Sequence, residues 1–234
     1  MTAGPVLRVD GLTAGYGRLQ VVRDLHLELH PGEVVALLGP NGAGKTTALL
    51  TIAGILRPLG GSVEFDGRDV TGRSPHRLAR DGLALVPDDR GLFPGLTVDE
   101  HLRLARADAA GRDRVAGWFP QLTGLSDRRV GVLSGGEQQM LALAQALLRG
   151  PRVLMIDEMS LGLAPIVVES LLPTVRRIAE ESACAVLLVE QHAPMALEVA
   201  DRALVMSHGA VVAQGSSAEL LEDWDSLLAG YLGR

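Results

Sequence analysis

The chain reads as an α/β protein built on a mostly parallel sheet, and three observations predict that class. Short apolar runs at 33–38, 83–86, 153–156 and 185–189 show no polar alternation, the mark of strands buried on both faces. Helical patterns lie between these runs, as strand–helix–strand crossovers require. The first run feeds a glycine-rich loop and then a helix, while the third ends in two acids, which puts polar chemistry at the carboxyl edge of the sheet.

The elements follow in order. Residues 6–9 and 25–29 alternate with period two and read as strands, with turns at Gly15-Tyr16-Gly17 and Pro31-Gly32. A helix is predicted over 46–53, ended by Gly54, and 60–67 reads as a hairpin. Pro87 stops the strand at 83–86. From 97 to 148 the pattern is mostly helical, with a loop around 124–131. A helix over 166–182 joins the strands at 153–156 and 185–189, and a closing hairpin turns at His208-Gly209. No internal repeat, charge block or long linker interrupts this order.

Composition narrows the function classes. A net charge of −6 argues against non-specific nucleic-acid binding. The single Cys184 excludes an internal disulfide, which fits a reducing compartment. The aliphatic stretch at 183–189 is far short of the ~20 residues that span a bilayer. No basic-then-apolar leader opens the sequence. A soluble cytoplasmic protein is expected, and any membrane role needs another chain to provide the spans.

Of the 22 lysines and arginines only Lys45 is a lysine, and it lies in Gly39-Pro40-Asn41-Gly42-Ala43-Gly44-Lys45-Thr46-Thr47. This G-x-x-x-x-G-K-[ST] pattern follows a buried strand and opens a helix, the context that confirms a P-loop. Backbone N–H groups and the helix N-terminus cradle the phosphates of a nucleotide. The compact ammonium of Lys45 reaches the β- and γ-phosphates, and Thr46 offers a hydroxyl to Mg²⁺. The acid-tipped strand supplies Asp157 for Mg²⁺, held through water, and Glu158 to orient or deprotonate an attacking water. Leu133-Ser134-Gly135-Gly136-Glu137-Gln138 then places a serine and two glycines at the mouth of a second helix. A good N-cap explains these residues, and so does a second anion site serving a partner's nucleotide.

With L-S-G-G-E-Q placed ahead of the acid-tipped strand, the chain resembles the ATP-binding cassette of ABC transporters. The resemblance implies a RecA-like P-loop core with an antiparallel β subdomain and an α-helical signature subdomain. The core is expected at about 1–88 and 150–234, and the signature subdomain at about 89–149. It also implies that Tyr16 stacks on adenine, that His192 contacts the γ-phosphate, and that 160–165 crosses a dimer interface. Asp88 joins Thr46 and Asp157 around Mg²⁺. In this reading ATP is bound by Tyr16 and by Gly39, Pro40, Asn41, Gly42, Ala43, Gly44, Lys45, Thr46 and Thr47 of one protomer. Ser134, Gly135, Gly136 and Glu137 of the other protomer close on it, with Lys45, Glu158 and His192 catalytic.

Residues 93–100, 135–141, 160–165 and 189–191, with the ending Tyr231-Leu232-Gly233, resemble the short ATPase subunit of branched-chain amino acid importers. That implies an ATPase on the cytoplasmic face of a membrane, paired with itself or with a second ABC ATPase. Integral permease subunits and an extracytoplasmic solute-binding protein complete the assembly, and residues near 90–94 with the following helical part form the groove that receives a coupling helix of the permease. The alternative solutes are urea, amides or other small molecules. An ABC ATPase outside transport, a P-loop kinase and an inactive nucleotide sensor are the other classes. The first usually carries two cassettes or a long coiled-coil insertion, neither of which is read here, and the second needs an acceptor-binding lid and has no use for Leu133 to Gln138. Four positions depart from the pattern. Asp88 stands where the subfamily usually has Glu, Met159 where proline follows the catalytic glutamate, Gln145 where arginine is common, and His192 where several members carry Asn.

Overall fold

The computed structural model describes residues 4–224 and residue 227. The resemblance at Tyr231-Leu232-Gly233 lies outside the described residues.

Two sheets organise the chain. The larger has the order β10-β9-β3-β8-β7-β6, with β3 Val34–Leu38, β6 Leu83–Val86, β7 Val153–Asp157, β8 Ala185–Glu190, β9 Arg202–Ser207 and β10 Ala210–Ser216. Every pair from β9 to β6 is parallel, and β10 closes the edge as an antiparallel hairpin. The continuous apolar runs have a direct cause. Val34, Ala36 and Leu38 face one core cluster and Val35 and Leu37 the other, and β7 and β8 split in the same way. Each fully buried leucine contributes about 1.5–3 kcal/mol on either face, so no position in these strands favours a polar residue.

The smaller sheet, order β2-β1-β4-β5, is antiparallel, with β1 Leu7–Tyr16, β2 Leu19–Leu29, β4 Gly60–Phe65 and β5 Arg68–Asp69. Its inner face and the helix α1, Lys45–Ile52, enclose one cluster with the larger sheet. β1 and β2 outrun the segments read from alternation. β1 continues through Gly15 and Tyr16, and register shifts between Val9 and Leu12 and again before Gly15 break the period-two signal.

The second cluster lies under the helices on the opposite face. Between the adjacent parallel strands β6 and β7 the chain forms α3 Val98–Arg103, α4 Ala109–Trp118, two 3₁₀ segments and α5 Gly135–Leu147. The helical pattern over 97–148 is thus interrupted before the loop at 124–131, because 120–125 winds as a 3₁₀ segment that begins at Pro120. The helix α6, Pro165–Ser182, covers the sheet beside α5. Three short helices, α2 Pro75–Asp81, α7 Ala193–Leu197 and α8 Ser217–Glu222, were not expected from the pattern.

The strand order positions the site. The loop after β3, the segment after β8, the acids ending β7 and the loop after β6 follow one another along a single sheet edge.

Candidate active site

The loop after β3 folds tightly for steric reasons. Gly39 takes φ +151, and a Cβ there would run into the Met206 carbonyl oxygen. Gly44 takes φ +103 as the N-cap of α1, with no side-chain cap on the helix. Lys45 is 4% exposed. Its Nζ donates to the Gly39 carbonyl at 2.9 Å and to the Pro40 carbonyl at 3.1 Å, and lies 3.6 Å from Glu158 Oε1. The P-loop cation and the acid at the end of β7 therefore meet, although the chain separates them widely. Lys45, Thr46, Thr47, Gly42 and Glu158 share a cleft of about 170 Å³.

Asp157 is 3% exposed, and its Oδ1 has no hydrogen-bond partner. Burial pushes its carboxyl up to about 6. The Thr46 hydroxyl pulls it the other way, Asp88 and Glu158 raise it further, and Lys45 lowers it. A buried carboxylate oxygen without a partner calls for a cation or a proton. Its place beside the Thr46 hydroxyl fits a divalent ion held by hard oxygen ligands.

Glu158 sits at φ +44, a left-handed backbone that a non-glycine residue adopts only when its surroundings enforce it. Its N–H donates to the Val189 carbonyl at 2.9 Å, and the next residue, Met159, is wholly buried in the core. Packing at Met159 thus anchors the turn where the related pattern has a proline. Ser160 is pinned as well: its N–H donates to Glu190 Oε1 at 3.0 Å and its hydroxyl to Oε2 at 2.6 Å. Glu190 is 3% exposed, and burial holds its carboxyl above the usual range.

Ser134 is the N-cap of α5 in a full capping box. Its Oγ accepts from the Glu137 N–H at 3.3 Å, and Glu137 Oε2 accepts from the Ser134 N–H at 2.7 Å and from its hydroxyl at 2.8 Å. The Ser134 N–H holds the Glu137 carboxyl below its usual range. A Cβ on Gly136 would stand 2.7 Å from Val167, so α5 and α6 approach closely at this glycine. The Glu137 carboxylate is occupied with Ser134, which makes it a brace of the turn.

The structure brings Lys45, Thr46, Asp157 and Glu158 together and leaves three predicted residues at the margin. Tyr16 is 52% exposed at the end of β1, on the hairpin whose Val21 and Val22 pack against Gly44. Asp88 is exposed and accepts from the Asp89 N–H at 2.9 Å, within electrostatic reach of Asp157. His192 is exposed at the start of α7, just past Glu190. Gln145 flanks the buried His101, whose Nε2 accepts the Phe93 N–H at 2.9 Å; burial lowers that imidazole's pKa. Residues from the expected groove and from the helical part after it line one cavity. This cavity of about 840 Å³ runs between α2, β6 and α5, and Arg90 and Gly91 line it while Phe93 and Pro94 do not. Glu190 and Arg90 are site-organising residues that local patterns missed. Glu190 lies in the 189–191 segment of the resemblance and ends an otherwise apolar strand, but neither signal points to Ser160 as its partner.

A parallel sheet that carries a phosphate loop on one strand, with an acid pair two strands away, is the layout of a P-loop nucleotide hydrolase. Residues 22–160 match the ABC transporter family model, and the chain belongs to that family. It is 38% identical to the high-affinity branched-chain amino acid transport ATP-binding protein BraG of Pseudomonas aeruginosa, over 97% of this chain and 100% of that protein. It is 36% identical to the probable branched-chain amino acid transport ATP-binding protein LivF of Archaeoglobus fulgidus, over 93% of this chain and 94% of that protein. Among solved structures it resembles a nucleotide-free ATP-binding cassette from an ABC transporter, with a TM-score of 0.84 and 23% identity over 95% of each chain. The protein is an ATP-binding, ATP-hydrolysing subunit of an ABC transporter.

Proposed function

We propose that this ATPase powers an importer of branched-chain or other hydrophobic amino acids. The observation that carries the reading is its likeness, along nearly its whole length, to the ATP-binding proteins BraG and LivF. Two chains, either identical or this one with a second ABC ATPase, sandwich the nucleotides. Tyr16 stacks on the base, and the loop from Gly39 to Thr47 wraps the phosphates. Thr46, Asp157 and Asp88 hold Mg²⁺, which when bound neutralises charge on the phosphates. Glu158 takes the proton of the attacking water, and Lys45 and His192 meet the charge that develops on the γ-phosphate. The Lys45–Glu158 contact at 3.6 Å supports this pairing of roles.

In the partner protomer, Ser134, Gly135 and Gly136 close on the same γ-phosphate, with Glu137 bracing the turn. Hydrolysis removes the group that both protomers share, so the dimer opens. In this reading residues 89–149 form the signature subdomain, and the remainder forms the core with its β subdomain. The groove lined by Arg90, Gly91, Leu104 and Ala105 receives the permease at the cytoplasmic face of the membrane. Among the described residues no helix is long and apolar enough to cross a membrane, so the path for the solute belongs to other chains.

The test is to tag the chain, extract it from native membranes in mild detergent with ATP, and identify what co-purifies. Multi-spanning permeases with a solute-binding protein for aliphatic amino acids are expected. A binding protein for urea or amides would redirect the solute, and recovery of soluble partners alone would overturn the transport role.

A further inference from the structure

Arg90 belongs to the loop that leaves β6 just past Asp88, and its N–H donates to the Pro87 carbonyl at 2.9 Å, closing the turn that carries Asp88. Its φ is +66, a strained conformation for a side chain-bearing residue. From there the guanidinium spreads over two other segments. Nε donates to Gln139 Oε1 at 3.1 Å, one Nη to Gln138 Oε1 at 3.0 Å, and the other to the Leu161 carbonyl at 3.4 Å. Gln138 passes the connection on, donating to the carbonyls of Val130 at 3.2 Å and Leu133 at 3.3 Å, immediately ahead of Ser134. Gly135 is tucked into the same junction: a Cβ there would lie 3.1 Å from Leu163 and 3.7 Å from the Arg90 guanidinium. Arg90 also lines the large groove between α2 and α5.

We infer that Arg90 is a positioning residue that couples the Asp88 loop to the Ser134 turn and to the loop after Glu158. A guanidinium presents its donors in one rigid plane, so three acceptors on two segments fix those segments relative to each other. A displacement of the Asp88 loop must carry the Ser134 turn and Leu161 with it or break charge-assisted hydrogen bonds. The inference rests on the proposed function, in which Asp88 serves the nucleotide of its own protomer while Ser134 and the loop after Glu158 face the partner's. Arg90 then makes each protomer's nucleotide state legible at the other site and at the groove. A simple structural staple would also use these bonds, but it would hold the segments equally with and without nucleotide.

Hydrogen–deuterium exchange on the full chain separates the two roles. The experiment compares wild type, Arg90→Ala and Arg90→Lys, each with and without Mg²⁺ and a non-hydrolysable ATP analogue, at a concentration where light scattering gives a monomer. All three should show slowed exchange at 39–47 on nucleotide addition. Wild type should also show a nucleotide-dependent change at 133–139 and 158–163 of about fivefold or more, the low end of coupling between sites. Arg90→Ala should lose that distant change and keep the change at 39–47. Arg90→Lys keeps the charge with a point donor, so it should retain only part of it; if Arg90→Ala does not fold, this variant decides. A distant change that survives in both variants, or is missing in wild type, would overturn the coupling. Exchange at 133–139 raised in Arg90→Ala equally with and without nucleotide would make Arg90 a staple. Absence of protection at 39–47 in wild type would sink the nucleotide reading itself, and this inference with it.

Discussion

Lys45 and Asp157 are both nearly inaccessible, and the surroundings of each bear on the role proposed for it. The Lys45 ammonium is held by two loop carbonyls and faces Glu158, so its position is fixed by the protein itself. Lys45→Ala removes the only side-chain cation of the loop and should weaken ATP binding by about 100-fold, the cost of losing a charge-assisted contact in a closed site; fluorescence titration with a labelled ATP analogue checks it. Glu158→Gln should bind ATP normally and turn over about 10²–10⁴-fold more slowly, the range for losing a general base. Near-normal turnover would assign the base elsewhere.

Asp157 sets a pH dependence. Its folded-state pKa is raised from 3.8 to about 6, so its contribution to stability is full below the unfolded value and is lost as pH rises through about 6. In the proposed function Asp157 holds Mg²⁺ in its ionised form, so Mg²⁺ affinity should fall as pH drops below about 6, with proton release on binding in that range. Calorimetric titration of Mg²⁺ in buffers of different ionisation enthalpy reads the proton directly. Asp157→Asn should abolish both the release and the pH dependence.

At the scale of elements, the first turn of α5 is a helix cap and, in the proposed function, also meets the partner's nucleotide. Ser134→Ala deletes the N-cap and should cost about 1 kcal/mol, a shift of about 2–4 °C in Tm for a chain of this size, read by thermal denaturation. Ser134→Arg adds bulk where the partner's phosphate would sit. It should leave nucleotide affinity of the P-loop intact and stop hydrolysis, and unchanged hydrolysis would reduce the turn to a cap.

The legibility of the elements follows from their length and their surroundings. The parallel strands were readable because both faces are buried, which leaves an uninterrupted apolar signature. β1 and β2 were read short because their register shifts scramble the alternation. α2, α7 and α8 have 7, 5 and 6 residues, too few for a 3.6-residue period to emerge. Two of them still carried terminal signals: Pro75 and Gly82 bracket α2, and Ser216 with Glu219 forms a capping box on α8.

For the whole molecule, the lone cysteine reports on integrity. Cys184 is 1% exposed in the core between α6 and β8, and burial pushes its thiol up to about 12. The native protein should resist thiol reagents near neutral pH, and labelling should follow global unfolding by denaturant. Rapid labelling without denaturant would mean that this core opens locally.

The sequence by itself determined the parallel α/β class, the phosphate loop with Lys45 and Thr46, and the acids at the end of β7, because each is specified by residues adjacent in the chain. A loop that needs glycine at fixed places, or a strand that needs apolar residues on both faces, leaves a local record. Only the tertiary structure decided that Lys45 meets Glu158, that Glu190 pins Ser160 across 30 positions, and that Arg90 reaches Gln138 and Leu161 across 48 and 71. Those contacts depend on strand order, which brings the ends of β3, β8, β7 and β6 side by side. Strand order is set by how the buried faces pack over the whole sheet, and no short stretch of the chain encodes it.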